Sequence, residues 1–307
     1  MLRGLLIGIS ENRQLRALAE RSAIGLRMSR RFVPGTTMAE VLAATEAVNR
    51  LGMSVSIDNL GENVTSAEEA RHSAEIYHRL LQEIETRKLQ ANVSLKLTHM
   101  GLEVDERVAR ELVGNLIGQA GGSNPRNFVR IDMEGSAYTQ RTLALVHELH
   151  RAPQNKGVVG AVIQAYLYRS EQDVEKLVAD GIRVRLCKGA YKEPPEIAFQ
   201  KKSDVDANYV KLMKILLKSG IYHGIATHDP RMIDATTRFA TTESIPRDGF
   251  EFQMLYGIRR DLQRSLVRQG WRMRVYIPFG TEWYPYLMRR LAERPANLLF
   301  LLKNVFR

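Results

Sequence analysis

Eight times along this chain a short segment of alternating apolar and polar residues is followed by a stretch with helical spacing, and no other feature constrains the fold as tightly. The alternating segments fall at 54–59, 92–98, 128–134, 158–166, 182–187, 224–228, 251–255 and 272–278. Helical spacing fills 66–88, 105–118, 137–151, 170–179, 204–219, 230–241, 259–269 and 282–293. A strand followed by a crossover helix pairs in parallel with the next strand. Eight such units predict a (β/α)8 barrel in one domain, since a barrel of about 250 residues with added helices accounts for the whole length. An open doubly wound sheet would carry a glycine-rich first turn, which this chain lacks. Ahead of the barrel, 11–31 reads as a basic helix ending before Val33-Pro34-Gly35, and Thr37 caps a second helix over 38–51. With no low-complexity linker, the expectation is a single domain, 1–51 packing on or beside a barrel of 52–307.

Side chains alternate faces along a strand, and in a barrel one face fills the interior. Val93, Leu95 and Leu97 oppose Ser94, Lys96 and Thr98; Val129, Ile131 and Met133 oppose Arg130 and Asp132. Ile182, Val184 and Leu186 oppose Arg183 and Arg185; Met273, Val275 and Ile277 oppose Arg274 and Tyr276. The apolar parity belongs against the helices, so the other points inward, together with Ser54, Ser56, Asp58, Gln164, Glu251 and Gln253. Buried charge is costly unless paired. The inward set holds five cations (Lys96, Arg130, Arg183, Arg185, Arg274) against three acids (Asp58, Asp132, Glu251), an excess that an anionic ligand would balance. Lys96, Asp132, Gln164 and Arg185 lie toward the C-terminal strand ends, where barrel active sites sit. Arg130, Arg183 and Arg274 lie earlier and are expected to form a salt-bridge layer with Asp58 or Glu251.

Three loops add chemistry. Arg185 to Tyr191 leaves strand five with two cations, Arg185 and Lys188, and with Gly189, which lets a phosphate or an electron-rich ring approach the backbone. Thr227-His228-Asp229-Pro230 opens a helix whose N–H groups favour phosphate, unless His228 only caps it. On the last helix Arg289 and Glu293 are four residues apart and suited to pair, and Arg290 lies about 100° around the axis. Two fixed guanidinium forks suit a carboxylate, and a solvated basic face has the same composition. No His and carboxylate arrangement is dense enough to bind metal.

The net charge of +11 sits at the ends. Residues 1–34 carry seven Arg against two Glu, and 259–307 carry eleven cations against three acids. Such ends suit anionic lipid head groups or nucleic acid as well as a plain solvated surface. No zinc spacing or aromatic RNA-binding pattern favours nucleic acid. One cysteine, Cys187, excludes an internal disulfide, and no run of about 18 apolar residues is present. The opening residues lack a signal peptide's apolar region and cleavage site. The expectation is a cytoplasmic protein, with peripheral contact at the inner face of the membrane kept open.

The ordered set Asp58-Asn-Leu-Gly-Glu62, Ser94-Leu-Lys96-Leu-Thr98, Arg130-Ile-Asp132-Met-Glu134, Ile163-Gln164-Ala-Tyr166, Arg185 to Tyr191, Ala226-Thr-His228, Phe250-Glu-Phe-Gln253 and Tyr286 to Glu293 resembles the proline dehydrogenase family. It is most similar to the family's short, monofunctional bacterial members. The resemblance implies FAD, bound without covalent attachment in a distorted barrel with the last helix above the mouth. It implies Asp132 and Arg185 as the active-site pair, and Lys96, Arg289 and Arg290 on the proline carboxylate, with Glu293 as the ion-pair partner of Arg289. Met133, Gln164, Arg185, Lys188, Gly189, Ala190, Thr227 and His228 would line the FAD. Tyr191, Leu255, Tyr276 and Tyr286 would wall the proline ring, and Tyr276 matches users of proline rather than hydroxyproline. The implied reaction takes L-proline to Δ1-pyrroline-5-carboxylate, with electrons passed to a membrane quinone. The chain stops where bifunctional relatives continue into an aldehyde dehydrogenase domain, so a separate pyrroline-5-carboxylate dehydrogenase is the expected pathway partner. Lys192 and Tyr256 depart from the Trp and His of those relatives. The competing readings are another flavin barrel oxidoreductase, of the folate type, and a basic membrane- or nucleic-acid-binding barrel without catalysis.

Overall fold

A computed structural model describes Ser22 and residues 29–293, the side chains of 289–293 excepted. The expected basic helix over 11–31 lies almost wholly outside the described residues. Eight strands close into a barrel in chain order: β1 Ser54–Asn59, β2 Ala91–Leu95, β3 Val129–Ile131, β4 Val159–Gln164, β5 Arg183–Cys187, β6 His223–Ala226, β7 Phe250–Leu255 and β8 Met273–Phe279. Every neighbouring pair is parallel, and β1 closes on β8 with Ser56 opposite Tyr276. Helix α1, Met38–Asn49, precedes β1; α2 to α8 (Ala67–Thr86, Glu106–Gly122, Ser136–Arg151, Ser170–Ala179, Lys202–Lys218, Pro230–Thr242, Arg260–Arg268) connect successive strands. Helix α9, Trp283–Glu293, follows β8. None of the helices searched among the described residues is long and apolar enough to cross a membrane.

Local chemistry places the helix starts. Thr37 accepts from the Glu40 N–H while the Glu40 carboxylate reaches back to the Thr37 N–H at 3.1 Å, a capping box for α1. Ser66, Asp105 and Asp229 cap α2, α3 and α7 through their own oxygens. Between strands and helices lies one continuous apolar core. Val55, Ile57, Val93, Leu95, Val129, Ile131, Val184 and Leu186 are all fully buried in it. Each such side chain contributes about 1.5–3 kcal/mol by leaving water, before the entropy of ordering it. A second cluster ties α9 to the mouth end of β1, with Trp283, Tyr284, Tyr286, Leu287 and Met288 against Leu60, Phe32 and Val33.

Four strands, β2, β3, β4 and β6, end earlier than the alternation predicts. β2 stops at Leu95 and β3 at Ile131, so Lys96, Thr98 and Asp132 stand just past the ladder. Past β2 the chain turns at once, the Met100 N–H donating to the Leu97 carbonyl at 3.0 Å, whereas past β3 it stays in register for one more residue. The Asp132 N–H still donates to the Leu95 carbonyl at 2.8 Å.

The lower interior corrects one expectation. Arg274 does pair with Glu251, Nε to Oε1 at 2.6 Å. Arg130 and Arg183 form no salt bridge among the described residues. Both stack on Phe128, with guanidinium carbons 4.6 and 4.3 Å from the ring centroid, and Arg183 also lies over Tyr222. Arg130 donates to the carbonyls of Ala161 and Arg183. Burial and the neighbouring charges of Arg185 and Arg183 push the Arg130 guanidinium well below its ordinary pKa. Aromatic faces and backbone carbonyls stand where countercharges were expected, because Asp58 lies at the far end of its strand and pairs with Lys96.

Candidate active site

At the C-terminal end of the bore, side chains from six strands or their ends converge in one cluster. Arg185 of β5 reaches across the barrel. Its Nη1 donates to Asp132 Oδ1 at 2.6 Å and Ser94 Oγ at 3.0 Å, its Nη2 to Ser56 Oγ at 3.1 Å, and its Nε to Gln253 Oε1. Asp132 also accepts from Ser94 Oγ at 2.7 Å and from the Tyr276 hydroxyl at 2.8 Å. The Arg185 guanidinium lies 5.1 Å from the Tyr276 ring centroid. With every contact a hydrogen bond to a fixed group, the Asp132–Arg185 pair meets the condition under which buried charges persist.

Lys96 stands beside this cluster, 3.5 Å from Asp58 Oδ2, its side chain 13% exposed. Burial opposes its charge, but the carboxylates of Asp58 and Asp132 outweigh that and raise its pKa, so the ammonium is held protonated. Burial raises the Asp58 carboxyl against the pull of Lys96. The arrangement is one ion pair with a solvent-reachable cation. His99, one turn on, is buried with its pKa pulled down to about 4 by burial and by Lys96. It is a neutral ring against which the Gly61 backbone packs.

The mouth wall is built from loops. Gln164 at the end of β4 donates to the Glu134 carbonyl at 2.9 Å and accepts from the Ala190 N–H at 3.3 Å, which ties the Arg185–Tyr191 loop to β3. Gly189 has φ +117°, and a Cβ there would fall 2.2 Å from the Tyr166 ring, so only glycine lets the backbone lie flat on that ring. Gly189 and Ala190 are exposed on the other side, and Tyr191 is 39% exposed. Leu255 and Tyr276 are register partners across β7 and β8, which puts both in the layer of Arg185.

Other expected site residues have protein surroundings of their own. Met133 is buried in the main core, and Tyr286 is buried in the cluster beneath α9. His228 does not cap α7: Asp229 does, while His228 Nε2 accepts from the Leu255 N–H at 2.9 Å and braces β7. Thr227 is buried, its Oγ1 accepting from the Asp229 N–H. Lys188 bonds Asp206 and, at 2.8 Å, Asp229. Arg289, Arg290 and Glu293 lie on α9, which packs at the mouth end of β1, and their side chains are outside the described residues.

Sequence reasoning missed Asp206, Arg231 and Lys202, which gather around Lys188. Asp206 follows Lys202 by four residues on α6, the spacing of a helical ion pair. The Asp229-Pro230 pair carries the signature of a helix start, although only the tertiary structure turns it toward Lys188.

The family model described as proline dehydrogenase matches residues 41–303 of the sequence, which hold all eight strands of the barrel and the Asp132–Arg185 pair. The chain belongs to the proline dehydrogenase family. It is 40% identical to proline dehydrogenase 1 of Bacillus subtilis over the full length of both, and 36% identical to proline dehydrogenase of Deinococcus radiodurans, covering 100% of this chain and 98% of that one. The bifunctional protein PutA of Escherichia coli is 28% identical over 89% of this chain, which spans 24% of that protein. Among solved structures, proline utilization A from Bdellovibrio bacteriovorus, inactivated by N-propargylglycine, superposes with a TM-score of 0.83 at 26% identity, covering 95% of this chain and 36% of that one. The chain is an oxidoreductase acting on proline, and its family is generally flavin-dependent.

Proposed function

We propose that the mouth binds FAD without covalent attachment and that the enzyme oxidises L-proline to Δ1-pyrroline-5-carboxylate, the first step of proline breakdown toward glutamate. The observation that carries this reading is the Arg185 guanidinium, fixed by Asp132, Ser94, Ser56 and Gln253 beneath a wall of exposed backbone and an exposed tyrosine. That donor set fits a flavin, which is flat, rich in acceptors and anionic at its phosphates. Gly189 and Ala190 offer bare, exposed backbone for its approach, and Gln164, Lys188, Thr227 and His228 are assigned to the same wall. When bound, the flavin supplies the acceptor, N5, for the hydride leaving C5 of proline.

The chain's own residues orient and stabilise. Lys96, kept charged by Asp58 and still reachable from solvent, is suited to the proline carboxylate, together with Arg289 and Arg290 of α9. Tyr191, Leu255, Tyr276 and Tyr286 are assigned to the wall around the ring. Asp132 has both oxygens occupied by Arg185, Ser94 and Tyr276, so it serves as the anchor of Arg185 rather than as a base. Arg185, preset by that anchor, stabilises negative charge as it develops and needs no reorganisation to do so. Electrons then pass to a membrane quinone, a role to which the positive charge of the sequence's two ends is suited, and the product passes to a separate pyrroline-5-carboxylate dehydrogenase.

An absorption spectrum tests this directly. Purified protein shows flavin bands, and L-proline bleaches them under anaerobic conditions. A colourless protein that takes up no added FAD refutes the reading, and bleaching by reduced folate but not by proline assigns the site to a different oxidoreductase.

A further inference from the structure

Beside the mouth, five charged side chains from three elements form two layers around Lys188. On the inner side, the Lys188 ammonium at the end of β5 bonds Asp206 of α6 and Asp229, the cap of α7. On the outer side, Lys202 bonds Asp206 at 2.6 Å, and Arg231 bonds Asp206 at 2.8 Å and Asp229 at 3.2 Å. The two carboxylates are largely covered, 12% and 18% exposed, whereas Lys202 and Arg231 are about two-thirds exposed. Burial would raise the pKa of both carboxyls, but their cationic partners outweigh it and lower both, so the acids stay ionised.

The arrangement has two consequences. An ammonium has three protons. Asp206 and Asp229 take two, and among the described residues no acceptor takes the third. Two fixed partners therefore leave one donor with a defined direction. The second consequence is electrostatic. Two carboxylates alone would reverse the charge of Lys188, but Lys202 and Arg231 offset them from the outside, so three cations against two acids leave the cluster at net +1.

We propose that Asp206 and Asp229 are positioning residues that hold the Lys188 ammonium for an anionic ligand, and that Lys202 and Arg231 keep them from cancelling its charge. This inference rests on the reading that FAD occupies the mouth, and it extends that reading to residues that do not themselves line the cofactor.

The test is the affinity of the apoprotein for FAD, read from flavin fluorescence, together with the thermal midpoint of each variant. Coulomb attraction alone predicts that Asp206→Asn, which removes a negative charge, binds FAD more tightly. Positioning predicts the opposite sign, with affinity about tenfold weaker. In a Lys188→Met background, Asp206→Asn is expected to change affinity no further. Arg231→Met, at an exposed residue, is expected to weaken FAD binding at low salt and to do so less at high salt. Unchanged or tighter binding by Asp206→Asn overturns the proposal. So does an equal loss in both backgrounds that tracks the thermal midpoint, since that marks a structural role. Wild-type protein that takes up no FAD sinks the cofactor reading and this inference with it, and is distinguished from the other outcomes by the wild-type measurement alone.

Discussion

The carboxylate of Asp132 and the guanidinium of Arg185, 53 residues apart in the chain, meet at 2.6 Å across the barrel, with side chains 14% and 7% exposed. Their contact joins the ends of β3 and β5, which are not neighbours in the sheet. It spans β4, which pairs with both. Removing one partner leaves the other charge buried without its counterpart. Asp132→Asn is accordingly expected to lower proline turnover by about 100-fold or more and to destabilise the fold by about 3–5 kcal/mol. Steady-state kinetics and urea unfolding of the same preparation check both. Wild-type turnover in this variant would remove the pair from the proposed site.

Below it, Gln253 links two layers, accepting from Arg185 with its oxygen and donating to Glu251 at 2.6 Å with its nitrogen. Glu251 in turn holds Arg274. Arg274, together with hydrogen bonds from Gln253 and Tyr222, outweighs a larger opposing burial effect and keeps the Glu251 carboxyl below its ordinary range. Glu251→Gln strands the Arg274 charge, and an unfolding loss of about 3–5 kcal/mol follows. The proline KM is expected to stay within about twofold, because the pair lies a layer below Lys96 and Asp132 and is linked to them through Gln253. A large KM change with unaltered stability would reverse that assignment.

His223 gives the fold a dependence on pH. Its Nδ1 accepts from the Val184 N–H at 2.9 Å, and burial, with Arg130 and Arg183 nearby, pulls its pKa from 6.5 to about 3. Between those values the unfolded chain binds a proton that the folded chain refuses. The stability contributed is complete above pH 6.5 and drains as pH falls toward 3. Urea unfolding from about pH 7 to about pH 4 should show a falling free energy. The slope should be shallower in His223→Gln, which is neutral throughout. An identical slope in the variant would assign the loss to other groups.

Gly189 carries the loop that the cofactor is proposed to face. Gly189→Ala places a methyl group 2.2 Å from the Tyr166 ring on a backbone at φ +117°. The strain, about 1–3 kcal/mol, is expected to weaken FAD retention about tenfold. The exposed loop should leave the barrel's thermal midpoint within a few degrees of wild type. Full flavin content after gel filtration would show that the loop need not lie flat.

What the sequence by itself determined is what local geometry encodes. The two-residue period of a strand gave the eight strands and their inward faces, Ser94, Arg130, Asp132, Arg185, Gln253 and Tyr276 among them, because alternation is a property of each extended backbone. Helix starts at Thr37 and Ser66 were legible for the same reason, since a cap acts within three residues. The tertiary structure alone decided who meets whom across the bore. Parity could not tell that Arg130 and Arg183 rest on Phe128 rather than on a carboxylate, nor that Asp58 turns to Lys96. It could not bring Asp206 and Asp229, on different elements, to one ammonium. Those partnerships depend on the stagger of eight strands around a closed ring, a quantity that belongs to the whole sheet and to no single segment.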